Sequence, residues 1–143
     1  MSTLNSAVSV AASALASERT RIEVAVSNLA NAESTRGADG QPYRRRDVVL
    51  ATDERGGFQG TLGRVASVGV RVAAIAEDMS PARRRFEPSH PDADQEGYVA
   101  LPNVDPAMEM VDMVSAARAY QANLTAINLI RDLVQRALEL GRA

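Results

Sequence analysis

The stretch from Asp105 to Gly141 reads DPAMEMVDMVSAARAYQANLTAINLIRDLVQRALELG. Within it, Met110, Met113, Ala117, Tyr120, Leu124, Ile127, Val134 and Leu138 fall at alternating steps of three and four, with Arg131 as the polar intruder. Apolar residues spaced in this way form one continuous stripe along an α-helix. Asp105 is a natural N-cap, Pro106 suits the first helical position, and Glu109 and Asp112 lie near the positive end of the helix dipole. Gly141 supplies a stop, with Arg136 near that end. The spacing predicts a helix over residues 106–140, about 50 Å long.

The other end of the chain carries the same pattern. Val8, Leu15, Ile22 and Leu29 form one heptad column, and Leu4, Ala11, Glu18 and Ala25 form its partner, broken once at Glu18. The many alanines between them favour helix and allow another backbone to approach. The pattern fades at Asn31, and Gly37 and Gly40 mark a loop, so a helix is predicted over residues 3–32. Between the two helices, Gly, Pro, Asp and Arg interrupt short β-branched runs. Val48-Val49-Leu50, the alternating Val68, Val70 and Val72, and Tyr98 to Leu101 read as strands, with Arg55-Gly56-Gly57 as a turn and Gly60 to Gly63 as loose loop.

These elements define an α+β chain: two long terminal helices paired as an antiparallel coiled-coil-like layer, with a small β-hairpin-rich middle region. The segments are an N-terminal helix in 1–35, a β-rich linker in 36–103 and a C-terminal helix in 104–143. Short strands alone bury little. Val10, Val24 and Val26 on one helix, and Val111, Leu129 and Leu133 on the other, lie off the seams. One helix pairing cannot cover them all, so the sequence predicts an assembly with other copies or other proteins. Until such partners are present, the helix ends are expected to fray.

Composition narrows the function. The chain has 143 residues, 45% hydrophobic, but only 3% aromatic and without Trp, so large core residues are scarce. Net charge is −2, which provides no overall basic field for nucleic acid. All 16 basic residues are Arg, and without Lys no Walker-type phosphate loop exists. Cysteine is absent, which excludes disulfides, thiol catalysis and Cys-based metal sites. No Gly-x-Ser-x-Gly elbow occurs. The N-terminus lacks the basic and apolar regions of a cleaved signal, and no stretch reaches the roughly 18 apolar residues of a membrane span. Enzyme activity and cofactors are not expected.

Three motifs invite chemistry. His90 sits in Ser89-His90-Pro91-Asp92-Ala93-Asp94, where one imidazole and two carboxylates could hold a divalent metal. A rigid turn with Asp side chains capping backbone amides explains the segment better, because it is flanked by proline and holds the only histidine. The runs Arg44-Arg45-Arg46 and Arg83-Arg84-Arg85 could bind phosphate. Salt bridges to acidic segments of neighbouring subunits, or a solvated surface, account for them equally well. Asn28, Asn31, Gln121, Asn123, Thr125 and Asn128 interrupt apolar helices near the seams, where polar groups set register and partner choice.

Three ordered sets of residues carry a resemblance. Ser27-Asn28-Leu29-Ala30-Asn31-Ala32-Glu33-Ser34-Thr35 resembles the segment that closes the first helix of flagellar rod and hook proteins. Gly40-Gln41-Pro42-Tyr43-Arg44-Arg45, Asp78-Met79-Ser80-Pro81, Glu87 through Val99 and Pro102-Asn103-Val104 follow as in the short proximal-rod branch of that family. Glu109 to Met113 and Arg118 to Asn123 are similar to the family's terminal helix. The resemblance spans the chain apart from Glu54 to Gly63. It implies a structural subunit of the bacterial flagellar basal-body rod, periplasmic and exported through the type III apparatus without a cleaved signal.

The implied partners are copies of itself, FlgB-, FlgF- and FlgG-like rod proteins and a FliE-like adaptor, with no nucleic acid and no membrane insertion. Leu15, Ile22, Asn28, Leu29, Asn31, Met110, Met113, Tyr120, Asn123, Leu124 and Ile127 are the expected subunit-packing residues. Tyr43, Arg44, His90, Asp92, Asp94 and Tyr98 are expected in the bridging middle region. The rival readings are a coiled-coil scaffold outside the flagellum and a small metal- or anion-binding module.

Overall fold

The computed structural model describes residues 2–37, 40–53 and 68–141. Two helices and two antiparallel strand pairs make an α+β chain in the order α1 (Ser2–Ala30), β1 (Arg46–Asp53), β2 (Gly69–Glu77), β3 (Arg83–Phe86), β4 (Tyr98–Leu101), α2 (Pro106–Leu140). β1 pairs with β2, and β3 with β4, as two separate sheets. The Arg55–Gly57 turn and the Gly60–Gly63 loop expected from sequence lie outside the described residues.

α2 begins where its cap predicts. The Asp105 carboxylate accepts from Ala107 N at 2.9 Å and Pro106 follows at the first position. Gly141 closes the helix through its N–H to Ala137 O, but at φ −80°, so its freedom to adopt a left-handed conformation is not used.

α1 and α2 pack side by side. Asn28 meets Glu109, and Ile22 and Glu23 line one cleft with Tyr120, so the helices run in opposite directions. One expected column of α2, Met113, Tyr120, Ile127 and Val134, lies on the covered face. The other does not: Met110, Ala117, Arg131 and Leu138 are exposed, and only Leu124 is partly covered. Glu109, Ala116, Asn123 and Ile130 take its place. The Asn28–Glu109 bond sets this rotation, and buried Ala11, Ala25 and Ala116 allow it by letting the helix backbones approach.

The β1–β2 pair lies along α1. Asn28 bonds Arg46 at the start of β1, while the Ser13 hydroxyl accepts from Val70 N at 3.1 Å at the start of β2. Ser13 to Asn28 spans roughly 22 Å of helix, and the eight residues of β1 cover about 23 Å, so the two match in length. The approach is close: a side chain at Gly69 would place its Cβ 2.9 Å from the Ser13 hydroxyl oxygen. The second pair, β3–β4, was legible only in its β4 half. Gly97, at φ +84°, turns the chain into β4, and any Cβ there would meet the Phe86 ring at 2.9 Å.

The core is concentrated at one end. Ala25, Asn28, Ala32, Val99, Leu101, Pro102, Val104, Glu109 and Ala116 are buried where α1 ends, β4 runs and α2 begins, while farther along α1 the buried positions are the small residues Ser17 and Ala11. Beyond Ala116, no described residue of α2 is buried. Val104→Ala should therefore cost about 2 kcal/mol, whereas Leu133→Ala, on an exposed face, should stay within about 0.5 kcal/mol of the parent in thermal unfolding. Amide exchange in the dilute monomer should slow from the free ends of both helices toward this core, and uniform protection along both helices would contradict a core held at one end.

Candidate functional site

The residues expected to matter converge on a polar junction at the buried end. Asn28, in the last turns of α1, is 1% exposed, and all four of its hydrogen-bonding positions are filled. Its Nδ2 donates to Arg46 O at 2.8 Å and to Glu109 Oε2 at 2.9 Å. Its Oδ1 accepts from Tyr43 Oη at 2.9 Å and from Arg46 N at 3.0 Å. Glu109, 2% exposed in the first turn of α2, accepts on its other oxygen from Arg45 Nε at 2.6 Å.

Arg45 completes the junction. Its guanidinium also bonds Asp47 at 3.0 Å and lies 3.6 Å from Asp112, and its backbone N–H reaches Asn103 Oδ1 at 2.9 Å. Partial burial pulls the Arg45 pKa down, but the bonds to Glu109 and Asp47 and their charges outweigh it, leaving the group above the ordinary arginine value. It stays cationic throughout the accessible pH range. Asn103 in turn donates to Asp78 O at 3.1 Å and to the Ser80 hydroxyl at 2.8 Å, fastening the end of β2 to the segment before α2. The cleft among Arg21, Asn28, Arg45, Asp47, Glu109 and Asp112 offers about 30 Å³ of water-sized space, which suits a water and no substrate.

The middle-region candidates occupy two further places. His90 Nδ1 accepts from Asp92 N at 3.0 Å within a turn. The Asp92 carboxylate accepts from Thr35 Oγ1 at 2.8 Å and pairs with Arg36 at 2.9 Å, tying the turn to the segment after α1. Asp94 accepts from Tyr98 N at 2.8 Å and Glu96 N at 3.0 Å and pairs with Arg84 at 2.6 Å. His90, Asp92 and Asp94 thus spend their polar atoms on the backbone and on other side chains, and among the described residues no three potential ligands gather for a metal. Tyr98 packs edge-on against Phe86, with Arg84 stacked 4.8 Å above its ring. Arg44 is exposed, its guanidinium on Met79 Sδ.

The arginine runs find their partners within the chain. Arg46 pairs with Glu77, Arg84 with Asp94 and Glu96, Arg85 with Glu33 and Glu87. Arg83 donates instead to the carbonyls of Pro102 and Ala32. Of Asn28, Asn31, Gln121, Asn123, Thr125 and Asn128, only Asn28 has a described side-chain bond to another element. Asn31 and Asn123 donate to their own helix, at Ser27 O and Ala119 O. Leu15, Ile22, Leu29, Met113, Tyr120, Leu124 and Ile127 are partly covered, and Met110 is half exposed. Sequence reasoning missed Glu109 as a buried group and Asn103 as a fastener. The dipole-compatible position of Glu109 explained it too readily as a surface charge.

Comparisons with known proteins agree with this architecture. A family model described as "Flagella basal body rod protein" matches residues 9–38, most of α1 and its exit. A second, "Flagellar basal body rod FlgEFG protein C-terminal", matches residues 95–140, which hold β4 and α2. Both ends of the chain therefore carry the marks of flagellar basal-body rod proteins. Relatives described as "Flagellar basal-body rod protein FlgC" narrow the class. The one from Salmonella typhimurium is 44% identical over 93% of this chain and 94% of its own length. The Bacillus subtilis protein is 43% identical over 94% and 96%, and that of Aquifex aeolicus 38% over 93% of each. The chain belongs to the FlgC family of flagellar basal-body rod proteins, and it is a structural subunit of the rod rather than an enzyme.

The Asp94 geometry fixes a pH response. The Tyr98 N–H, more than Arg84 and the Glu96 N–H, holds this carboxyl below the usual aspartate range. Its stabilisation of the β3–β4 connection is therefore complete above the unfolded pKa and is lost as pH falls through the lower folded value. Amide exchange at Tyr98 and Glu96 should accelerate on acidification through that window, and Asp94→Asn should remove the dependence.

Proposed function

We propose that this chain polymerises in the proximal part of the rod, in the periplasm, with copies of itself and with FlgB-, FlgF- and FlgG-like subunits and a FliE-like adaptor. It reaches that place through the type III export apparatus without a cleaved signal. Its terminal helices form a coiled-coil-like layer with those of neighbours. The β-hairpin-rich segment 36–103 bridges between subunits, set off from helical segments 1–35 and 104–143. Torque from the motor passes through many small contacts strained together.

The observation that carries this reading is the unequal covering of the two helices. α1 is packed by α2 on one flank and by the β1–β2 pair on the other, so that Val10 and Val24 are partly covered and Val26 is left out. α2 has α1 alone. Val111, Leu129 and Leu133 are each about 60% exposed, with Val114 and Met110 beside them. A row of this kind along a helix of 35 residues is what a subunit keeps for its neighbours. The candidates Leu15, Ile22, Leu29, Met113, Tyr120, Asn123, Leu124 and Ile127 serve the seam, and Met110 joins the outer row. A stand-alone scaffold outside the flagellum would need neither the Asp92 ties nor the Asn103 fastener.

A strain lacking the gene, complemented with Leu129→Asp, tests the reading. The variant should keep the parent's thermal stability within about 0.5 kcal/mol and still be exported, yet restore neither rods in isolated basal bodies nor swimming. Complete rods in the uncomplemented deletion strain would refute the rod assignment, and full complementation by Leu129→Asp would refute the role of the α2 face.

A further inference from the structure

Asn28 does for β1 what a neighbouring strand would do. Its amide donates to Arg46 O and accepts from Arg46 N, the two-way pairing a backbone peptide makes at a sheet edge. On the sheet side, β1 is held by β2, with Asp78 N bonded to Arg45 O at 2.8 Å. The first residue of β1 is therefore clamped between β2 and a side chain of α1.

The same amide faces α2. An amide nitrogen has two protons, and here one goes to Arg46 O and the other to Glu109 Oε2. Glu109 simultaneously holds Arg45, the residue preceding Arg46. Removing α2 would take Glu109 from both Asn28 and Arg45, leaving Arg45 with Asp47 and one Asn28 amide proton to solvent. The β3–β4 pair is anchored elsewhere, through Arg83 to Ala32 O and Pro102 O, and through Asp92 to Thr35 and Arg36.

From this we infer that Asn28, Glu109 and Arg45 form an interlock: the start of β1 is held firmly against α1 while α1 and α2 are paired, whereas the start of β2 keeps its own tie to Ser13. Asn28 is a positioning residue in this device. Through it, a change in helix pairing at the buried end loosens one strand pair and spares the other. The inference stands on the geometry of the single chain and does not depend on the rod reading.

Amide exchange by NMR on the full chain tests it. Asn28→Asp keeps the side-chain size and both acceptor contacts, but sets an oxygen against Glu109 and against Arg46 O. Exchange at Val48 to Thr52 should accelerate about 10- to 100-fold, as expected for losing buried bonds to a charged acceptor. Arg85 and Val99 should change by less than about twofold. Asn28→Asp with Glu109→Gln returns a donor to the helix–helix contact, since the introduced glutamine amide can donate to the introduced carboxylate and accept from Arg45, and should recover the part of the protection lost there, while the oxygen set against Arg46 O remains. Should Asn28→Asp unfold the chain outright, refolding of the double variant supports the interlock. Unchanged β1 exchange in Asn28→Asp overturns it, as does a double variant as damaged as the single one, or equal loosening of both strand pairs.

Discussion

Burying an amide and a carboxylate between two helices costs free energy unless every proton and lone pair is met. At Asn28 and Glu109 that demand is satisfied only by bringing together three segments that are far apart in the chain. Asn28 lies in α1, Arg45 and Arg46 lead into β1, and Glu109 opens α2. The bond between Asn28 and Glu109 joins residues 81 positions apart. Much of the remaining arrangement follows from this junction, including which face α2 turns toward α1 and where β1 starts. Most of the buried side chains, and all of the large ones, gather around the same end for the same reason, because close packing excludes the water that would otherwise serve these polar groups.

This concentration leaves the far end of the helix pair lightly held. Past Ala116, α2 touches α1 through partly covered residues and keeps Leu129, Leu133 and Leu138 in solvent. A monomeric protein would normally shield such a row. A subunit of a rod has other surfaces to meet it, and family membership, shown by relatives 38–44% identical over nearly the whole chain, fits that use. The low aromatic content belongs to the same design: with few large residues to fill a core, small side chains such as Ala11, Ala25 and Ala116 bring backbones close.

Parts of the candidate site were legible and parts were not. The Asp105 cap, both helices and the strand at Tyr98 to Leu101 were readable, because caps and periodicity are local properties. The rotation of α2 was not, since Met110 and Ala117 outrank Glu109 and Asn123 in hydrophobicity and nothing local weighs a hydrogen bond to Asn28. β3 was also hidden. Arg83-Arg84-Arg85-Phe86 has no alternation of apolar residues, and it becomes a strand because β4 and its ion pairs to Asp94, Glu96 and Glu87 hold it there. The arginine runs looked like offers to a partner; Asp47 and Glu87 lie two residues away, but Glu109, Glu77, Asp94, Glu96 and Glu33 are far enough along the chain to escape a local reading.

Two long helices, the positions of their caps, short strands between them and an excess of apolar surface beyond one helix pairing could all be read from the chain alone. Spacing and side-chain chemistry suffice for these, because each depends on residues a few positions apart. Which helix keeps the excess was settled in three dimensions. α1 is covered from two sides and α2 from one, a difference set by where the β1–β2 pair lies down. That placement depends on Asn28 meeting Arg46 and Glu109 together. Contacts of this kind depend on distance in space, which periodicity along a chain does not encode.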